Sequence, residues 1–355
     1  MRIRLVVIAA AALVLSAGLA IDPRSTLAVY LVAWVAIGAM PLGILCVLMT
    51  SYLVRRAWTQ TLRPIMVSAI SVLPLLAVLF LPVLIGMREL YPAAASGHAL
   101  PAFKAFYLAP WFFALRTIIY FIVLCGVAMW QQAAWGDSDR MMRSASVGLI
   151  ISALLVSFAG VDWVESLEPE FHSSIYGLYF LCFALLDGAA FAILMGLASG
   201  RRIGATKGYS ALLLSIILLW TYVHAMQYIV IWAGNIPDEV VWYIKRSSHG
   251  WQFVLAVVAL GQFVFPFFAL LNSRIRSSRN WLMALCALTL AMRCWEASIL
   301  ILPAVHDIAP LTVALMLAAA LALVALSLWW AFERALANDG RLFRVGRHAH
   351  AEAEG

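Results

Sequence analysis

Long apolar runs recur along almost the whole chain, and each is long enough to cross a bilayer, since a helix needs about 20 apolar residues to span the roughly 30 Å hydrocarbon core. They fall near 4–20, 27–54, 64–86, 109–133, 144–162, 173–199, 209–233, 250–272, 280–303 and 309–332. Each stays predominantly apolar instead of alternating, which selects helices over the strands of a barrel. With 65% hydrophobic and only 12% charged residues, a water-soluble fold would lack the polar groups to cover itself. The expected fold is an all-α integral membrane protein of about ten transmembrane helices. Residues 1–26 read as a first transmembrane helix and its turn, 27–335 as one polytopic membrane domain, and 336–355 as a polar cytoplasmic tail.

Lys and Arg are retained on the cytoplasmic side of membrane proteins. Alternating connections collect Arg2, Arg4, Arg55, Arg56, Arg63, Arg140, Arg143, Arg201, Arg202, Lys207, Arg274, Arg276, Arg279, Arg334, Arg341, Arg344 and Arg347, whereas the opposite set holds only Arg24, Arg88, Lys104, Lys245 and Arg246. Both chain ends are therefore expected in the cytoplasm, and the net charge of +7 reflects this bias and the tail, with no nucleic acid implied. Residues 1–20 also fit a cleavable signal peptide, with Arg2, Arg4, an apolar run and a small-residue end. Acids gather on the outer side, at Asp22, Glu89, Asp162, Glu165, Glu168, Glu170, Asp238, Glu239 and Asp307. They either present a negative surface to a basic partner or mark where Lys and Arg are excluded.

The five cysteines all lie in predicted spans without any C-x-x-C spacing, so covalent haem and iron–sulfur ligation are not expected and the thiols read as packing residues. No nucleotide-binding glycine motif, nucleophile elbow or metal-ligand spacing is present; Gly188 and Gly196 read as helix contacts.

The informative positions are ionisable groups at membrane depth, where an isolated charge costs at least about 2.5–3.5 kcal/mol. Arg293 and Glu296 are one turn apart on the ninth span and can pair, either as a structural ion pair or as a proton or quinol-headgroup contact. Asp187 on the sixth span has no cation within a turn, so it finds a partner on another helix or stays protonated, as a relay member or as a buried hydrogen-bonding acid. Arg116, with Tyr120 one turn further in, is placed to pair with Asp187 or Glu296. His224, with Tyr222, Gln227 and Tyr228, forms an outer-half cluster suited to accepting a quinol proton, or is a packing residue.

Two stretches exceed generic membrane sequence, Asp162-Trp163-Val164-Glu165-Ser166-Leu167-Glu168-Pro169 continuing to Gly177, and Ile231-Trp232-Ala233-Gly234-Asn235-Ile236-Pro237-Asp238-Glu239 continuing to Tyr243. With Arg116 before Ile118-Ile119-Tyr120, they resemble the NrfD/PsrC-like membrane subunits of alternative complex III, of the ActF type, a quinone-binding subunit of quinol:cytochrome c oxidoreductase. The resemblance implies two four-helix bundles with peripheral helices in a bacterial inner membrane. It further implies no covalently bound cofactor, quinol or quinone as ligand, and partner subunits carrying haem, iron–sulfur clusters and a paralogous membrane fold. The motif positions Asp162, Trp163, Glu168, Pro169, Gly234, Asn235, Pro237 and Glu239 are carried over with it. A secondary transporter and a purely structural anchor remain as alternatives; the first predicts inverted repeats and helices broken by Gly or Pro at mid-membrane, and Pro41 and Pro74 lie inside spans while the motif pairs do not repeat.

Overall fold

Crossing a membrane as helices forces each segment to satisfy its own backbone, because lipid offers no hydrogen bonds. In the computed structural model, ten helices among the described residues meet the length and apolarity this demands, at Ile3–Ile21, Pro23–Val54, Thr61–Ile85, Pro110–Ala133, Ser138–Leu167, Tyr176–Ala198, Thr206–Gly234, Trp251–Leu271, Arg279–Ala304 and Thr312–Ala337. They are numbered as the first to tenth spans. The structure describes residues 2–54, 57–92, 102–199, 206–305 and 310–338. Arg55, Arg56, Arg201, Arg202, Asp307, Arg341, Arg344, Arg347 and the tail from residue 339 onward lie outside the described residues. Among the described residues there is no strand, and the chain is an all-α, multi-pass membrane protein.

Spans two to five pack as one group of four, spans six to nine as another, and the first and tenth pair with each other against the second. The Arg4 guanidinium donates to the Glu333 carboxylate, so the start of the first span and the end of the tenth share a face. In the most apolar stretch of the second span 89% of residues are buried, against 17% in the first, which makes the second span the central post and the first a peripheral one.

The two bundles meet where the second and sixth spans cross. A Cβ on Gly43 would lie 1.7 Å from the Ala184 carbonyl oxygen, and one on Gly188 would lie 2.5 Å from the Ile44 nitrogen. The helices touch backbone to backbone, which only residues without side chains allow. Gly196, likewise, would drive a Cβ to 2.3 Å from Leu62. These glycines are helix contacts, as their positions within spans predict.

The third span is broken twice, into Ala57–Ile70, Leu73–Leu79 and Leu81–Ile85, with Pro74 and Pro82 supplying no N–H at the breaks. Phe80 N–H bonds Ala77 and Val83 N–H bonds Phe80, which shortens the ladder and frees the Leu76 and Leu79 carbonyls. The second span supplies the donors. Trp34 Nε1 bonds the Leu76 oxygen at 3.3 Å and the Tyr30 hydroxyl bonds the Leu79 oxygen at 2.5 Å. Where the fifth span begins, Asp137 Oδ1 accepts from the backbone N–H of Asp139 and Arg140, both at 3.0 Å. The Arg140 N–H is the main cause that holds the Asp137 carboxyl below its ordinary range.

Gly188→Leu is expected to abolish a monodisperse detergent-solubilised protein, since overpacking a backbone contact costs about 1–3 kcal/mol or more. Gly126→Leu, whose Cβ would meet nothing within 4 Å, should elute and melt like the parent. Size-exclusion profiles and thermal unfolding of the two variants check this.

Candidate functional site

The two sequence motifs occupy one end of the bundles and interlock there. Asp162, in the last turn of the fifth span, is fully buried and accepts from Arg116 Nε at 2.8 Å and Nη2 at 2.9 Å, and from the Tyr120 hydroxyl at 2.6 Å. Arg116 also donates to the Tyr107 carbonyl at 2.6 Å. Its partner is therefore Asp162, not Asp187 or Glu296. The fourth span packs beside the fifth in the first bundle, whereas both of the expected acids belong to the second. Trp163 donates to Thr117 Oγ1 at 3.2 Å and packs against Trp34 and Phe121 at ring separations of 5.1 and 5.5 Å. The Asp162-Trp163 pair thus locks the fifth span to the second and fourth.

Beyond it, Glu168 accepts from Lys245 at 2.7 Å and Arg246 at 2.8 Å, and Phe171 stacks on Trp242 with centroids 5.0 Å apart. Gly234 ends the seventh span, Asn235 adopts φ +46°, a left-handed turn that Asn tolerates, and Pro237 starts the helix Pro237–Arg246. That helix carries Asp238 and Glu239 in its first turn and Lys245 and Arg246 in its last, matching its macrodipole. Arg246 is wholly buried and donates to the carbonyls of Ile299 at 2.9 Å and Leu300 at 2.8 Å. The Ile299 carbonyl lacks its helical donor because residue 303 is Pro, so Arg246 caps the ninth span. Burial pulls the Arg246 guanidinium below its ordinary value, with Glu168 opposing.

Inside the second bundle, Glu296 Oε1 accepts from the Tyr179 hydroxyl and from Trp220 Nε1 at 3.0 Å, while Oε2 lies 2.5 Å from Arg293 Nη1. The expected ion pair is formed. Its alignment is poor for hydrogen bonding, so no Arg293 nitrogen has a directed acceptor. Arg293 lies between the rings of Phe183 and Trp220, at 5.0 and 4.9 Å. Asp187 is fully buried with neither oxygen hydrogen-bonded to the described protein, and Arg293 and Glu296 act on it electrostatically. His224 stacks near Tyr179 and Trp220, at 5.3 and 5.2 Å. Tyr222 is instead 58% exposed and faces away, while Tyr228 packs on Tyr243 at 5.2 Å.

A cavity of about 140 Å³ opens beside Glu296, lined among others by Tyr179, Trp220, His224, Tyr243, Arg246 and Phe263. It is smaller than the roughly 300 Å³ at which small-molecule pockets begin and suits a few waters. A second pocket of about 370 Å³ lies among Phe103, Lys104, Tyr107, Glu165, Phe171 and His172. There Lys104 donates to the Pro169 carbonyl and lies 2.7 Å from His172 Nε2. Burial lowers the Lys104 ammonium, with Glu165, Glu170 and Asp238 opposing.

The structure thus separates the sequence candidates into a stabilising corner at Arg116 and Asp162 and a membrane-depth cluster of Asp187, His224, Arg293 and Glu296. Sequence reasoning did not single out Tyr179, Trp220 or Arg246. The first two are ordinary aromatic residues until the ninth span is folded against them, and Arg246 read as a loop charge.

Asp162→Asn should lower unfolding stability in detergent by about 3–5 kcal/mol by stranding Arg116. Asp162→Asn combined with Arg116→Met should recover most of that loss, measured by chemical denaturation as a double-mutant cycle.

No protein-family model matches the chain, and no curated protein matches it.

Proposed function

We propose that this chain is a membrane subunit of a quinol-oxidising respiratory complex in a bacterial inner membrane, with both ends cytoplasmic, and that it contributes a proton path. Electrons pass through haem-bearing and iron–sulfur partner subunits beside a paralogous membrane subunit, as the resemblance of the two motifs to NrfD/PsrC-like chains implies. Quinol oxidation releases protons along with electrons, and protons crossing lipid need groups that change protonation at membrane depth.

The observation that carries the reading is Glu296, a carboxylate at membrane depth that borders a cavity shared with His224. The Tyr179 hydroxyl and Trp220 Nε1 donate to it, and Arg293 Nη1 lies 2.5 Å from its second oxygen. Uptake of a proton from the cavity weakens the bond to Arg293, which then turns toward the second acid, Asp187. Quinol itself docks in the 370 Å³ pocket, where aromatic walls meet Lys104 and His172. Its volume lies in the range of pockets that hold small aromatic ligands.

Mild detergent purification of the tagged protein should bring down multihaem and iron–sulfur chains with quinol oxidation activity. Glu296→Gln in that complex should lower proton transfer by about 100-fold, the scale of losing a positioned acid–base group, with assembly retained. Normal turnover and proton release in both Glu296→Gln and Asp187→Asn would make the chain a structural anchor, and a lone inactive chain would favour a transporter.

Lys104→Ala should raise the KM for quinol by about tenfold with little change in kcat, as loss of uniform binding does. Steady-state kinetics on the purified complex check this.

A further inference from the structure

The antiparallel sixth and ninth spans meet rung by rung. Tyr179 bonds Glu296, and one turn deeper Phe183 faces Arg293 at 5.0 Å. One turn deeper again the rung is Asp187 opposite Thr289, because residues four apart on a helix share a face at about 6 Å spacing. The eighth span closes this level from the side. A Cβ on Gly261 would lie 2.6 Å from Met292 Sδ, which packs this part of the eighth span on the ninth, next to Arg293. Residues Ala259–Val264 form a π-turn, and Pro266 withholds the N–H that the Gln262 carbonyl would receive in a regular α-helix.

Asp187, Thr289, Gln262 and Arg293 are all 0% exposed. Both Asp187 oxygens, Thr289 Oγ1, both Gln262 amide atoms and all three Arg293 nitrogens have no hydrogen-bond partner among the described residues. Any one such group is costly to bury without a partner. Several at one level of one bundle satisfy each other through water, which makes about three hydrogen bonds at such sites. Glu296 takes the directed donors and the ion pair, while Asp187 has no donor among the described residues. Further in, the sixth and ninth spans present the buried, apolar Ile193, Leu197, Leu282 and Leu285.

We propose that Asp187, Thr289, Gln262 and Arg293 form a water-binding site that extends the proton route past Glu296 and ends blindly at Asp187. The proposal rests on the reading of Glu296 as a proton-exchanging group. Thr289 and Gln262 hold the waters, and Asp187 releases its proton to them and takes one back.

Infrared spectroscopy of the purified protein in H₂O and D₂O tests this. The expected result is a protonated-carboxyl C=O band that is lost in Asp187→Asn and shifts down within the mixing time after transfer to D₂O. Gln262→Leu combined with Thr289→Val should slow that shift by about tenfold or more as the waters lose their partners; Gln262→Asn with Thr289→Ser should restore it. Should the apolar pair fail to fold, Thr289→Val alone, which removes one hydroxyl, must still slow the shift. The proposal is overturned if no band depends on Asp187, if the band does not move in D₂O, or if the apolar variants exchange at the parental rate. The readout needs no quinol, partner or turnover, so a failure of the respiratory reading leaves it standing, and its own failure leaves quinol oxidation measurable.

Discussion

Between helices in lipid there is little hydrophobic drive to associate, because a lipid tail is as apolar as a leucine, and what remains is close packing. The crossing of the second and sixth spans at Gly43 and Gly188 brings backbone against backbone, and the two four-helix groups are joined through it. Because the contact is backbone on backbone, it also sets the depth of the sixth span. That depth decides where Tyr179, Phe183 and Asp187 fall relative to the ninth span. The rungs of the polar cluster are therefore a consequence of a contact made on an adjacent face of the same helix.

Two buried aspartates show how differently one residue type is used at membrane depth. Asp162 receives two guanidinium bonds and a phenol, so its charge is fully compensated and it acts as a fastening between the fourth and fifth spans. Asp187 has no hydrogen-bond partner among the described residues, yet it is just as buried. Stability alone would not retain such a group, since an apolar residue of similar size would be less costly there. Such a group fits the proposed water-binding site, where water would solvate it and its proton could exchange.

The same demand for satisfied backbone explains side chains that look incidental in the sequence. Tyr30 and Trp34 bond the carbonyls freed by breaks in the third span, and Arg246 bonds the carbonyl freed by Pro303. Each is a case of irregular helix tolerated in lipid because a neighbour supplies the missing donor. In the third case the donor also lines the cavity, and the helix Pro237–Arg246 is held to the Glu168 loop by Arg246, Lys245 and the stack of Phe171 on Trp242.

The ten spans, their helical nature and the pairing of Arg293 with Glu296 were legible in the sequence, because apolar run length and residues three apart on one helix are local properties. So was the burial of Asp187 and the role of Gly188 as a helix contact. Partners across helices were not legible, since a span's sequence carries its depth but not which neighbour it faces. Arg116 met Asp162 because the fourth and fifth spans adjoin, and Tyr222 was separated from His224 because two residues on a helix point nearly opposite ways. Tyr179, Trp220, Thr289 and Gln262 became part of a site only when the sixth, seventh, eighth and ninth spans closed around one level, and it was the packing of glycine backbones, a tertiary contact, that chose that level.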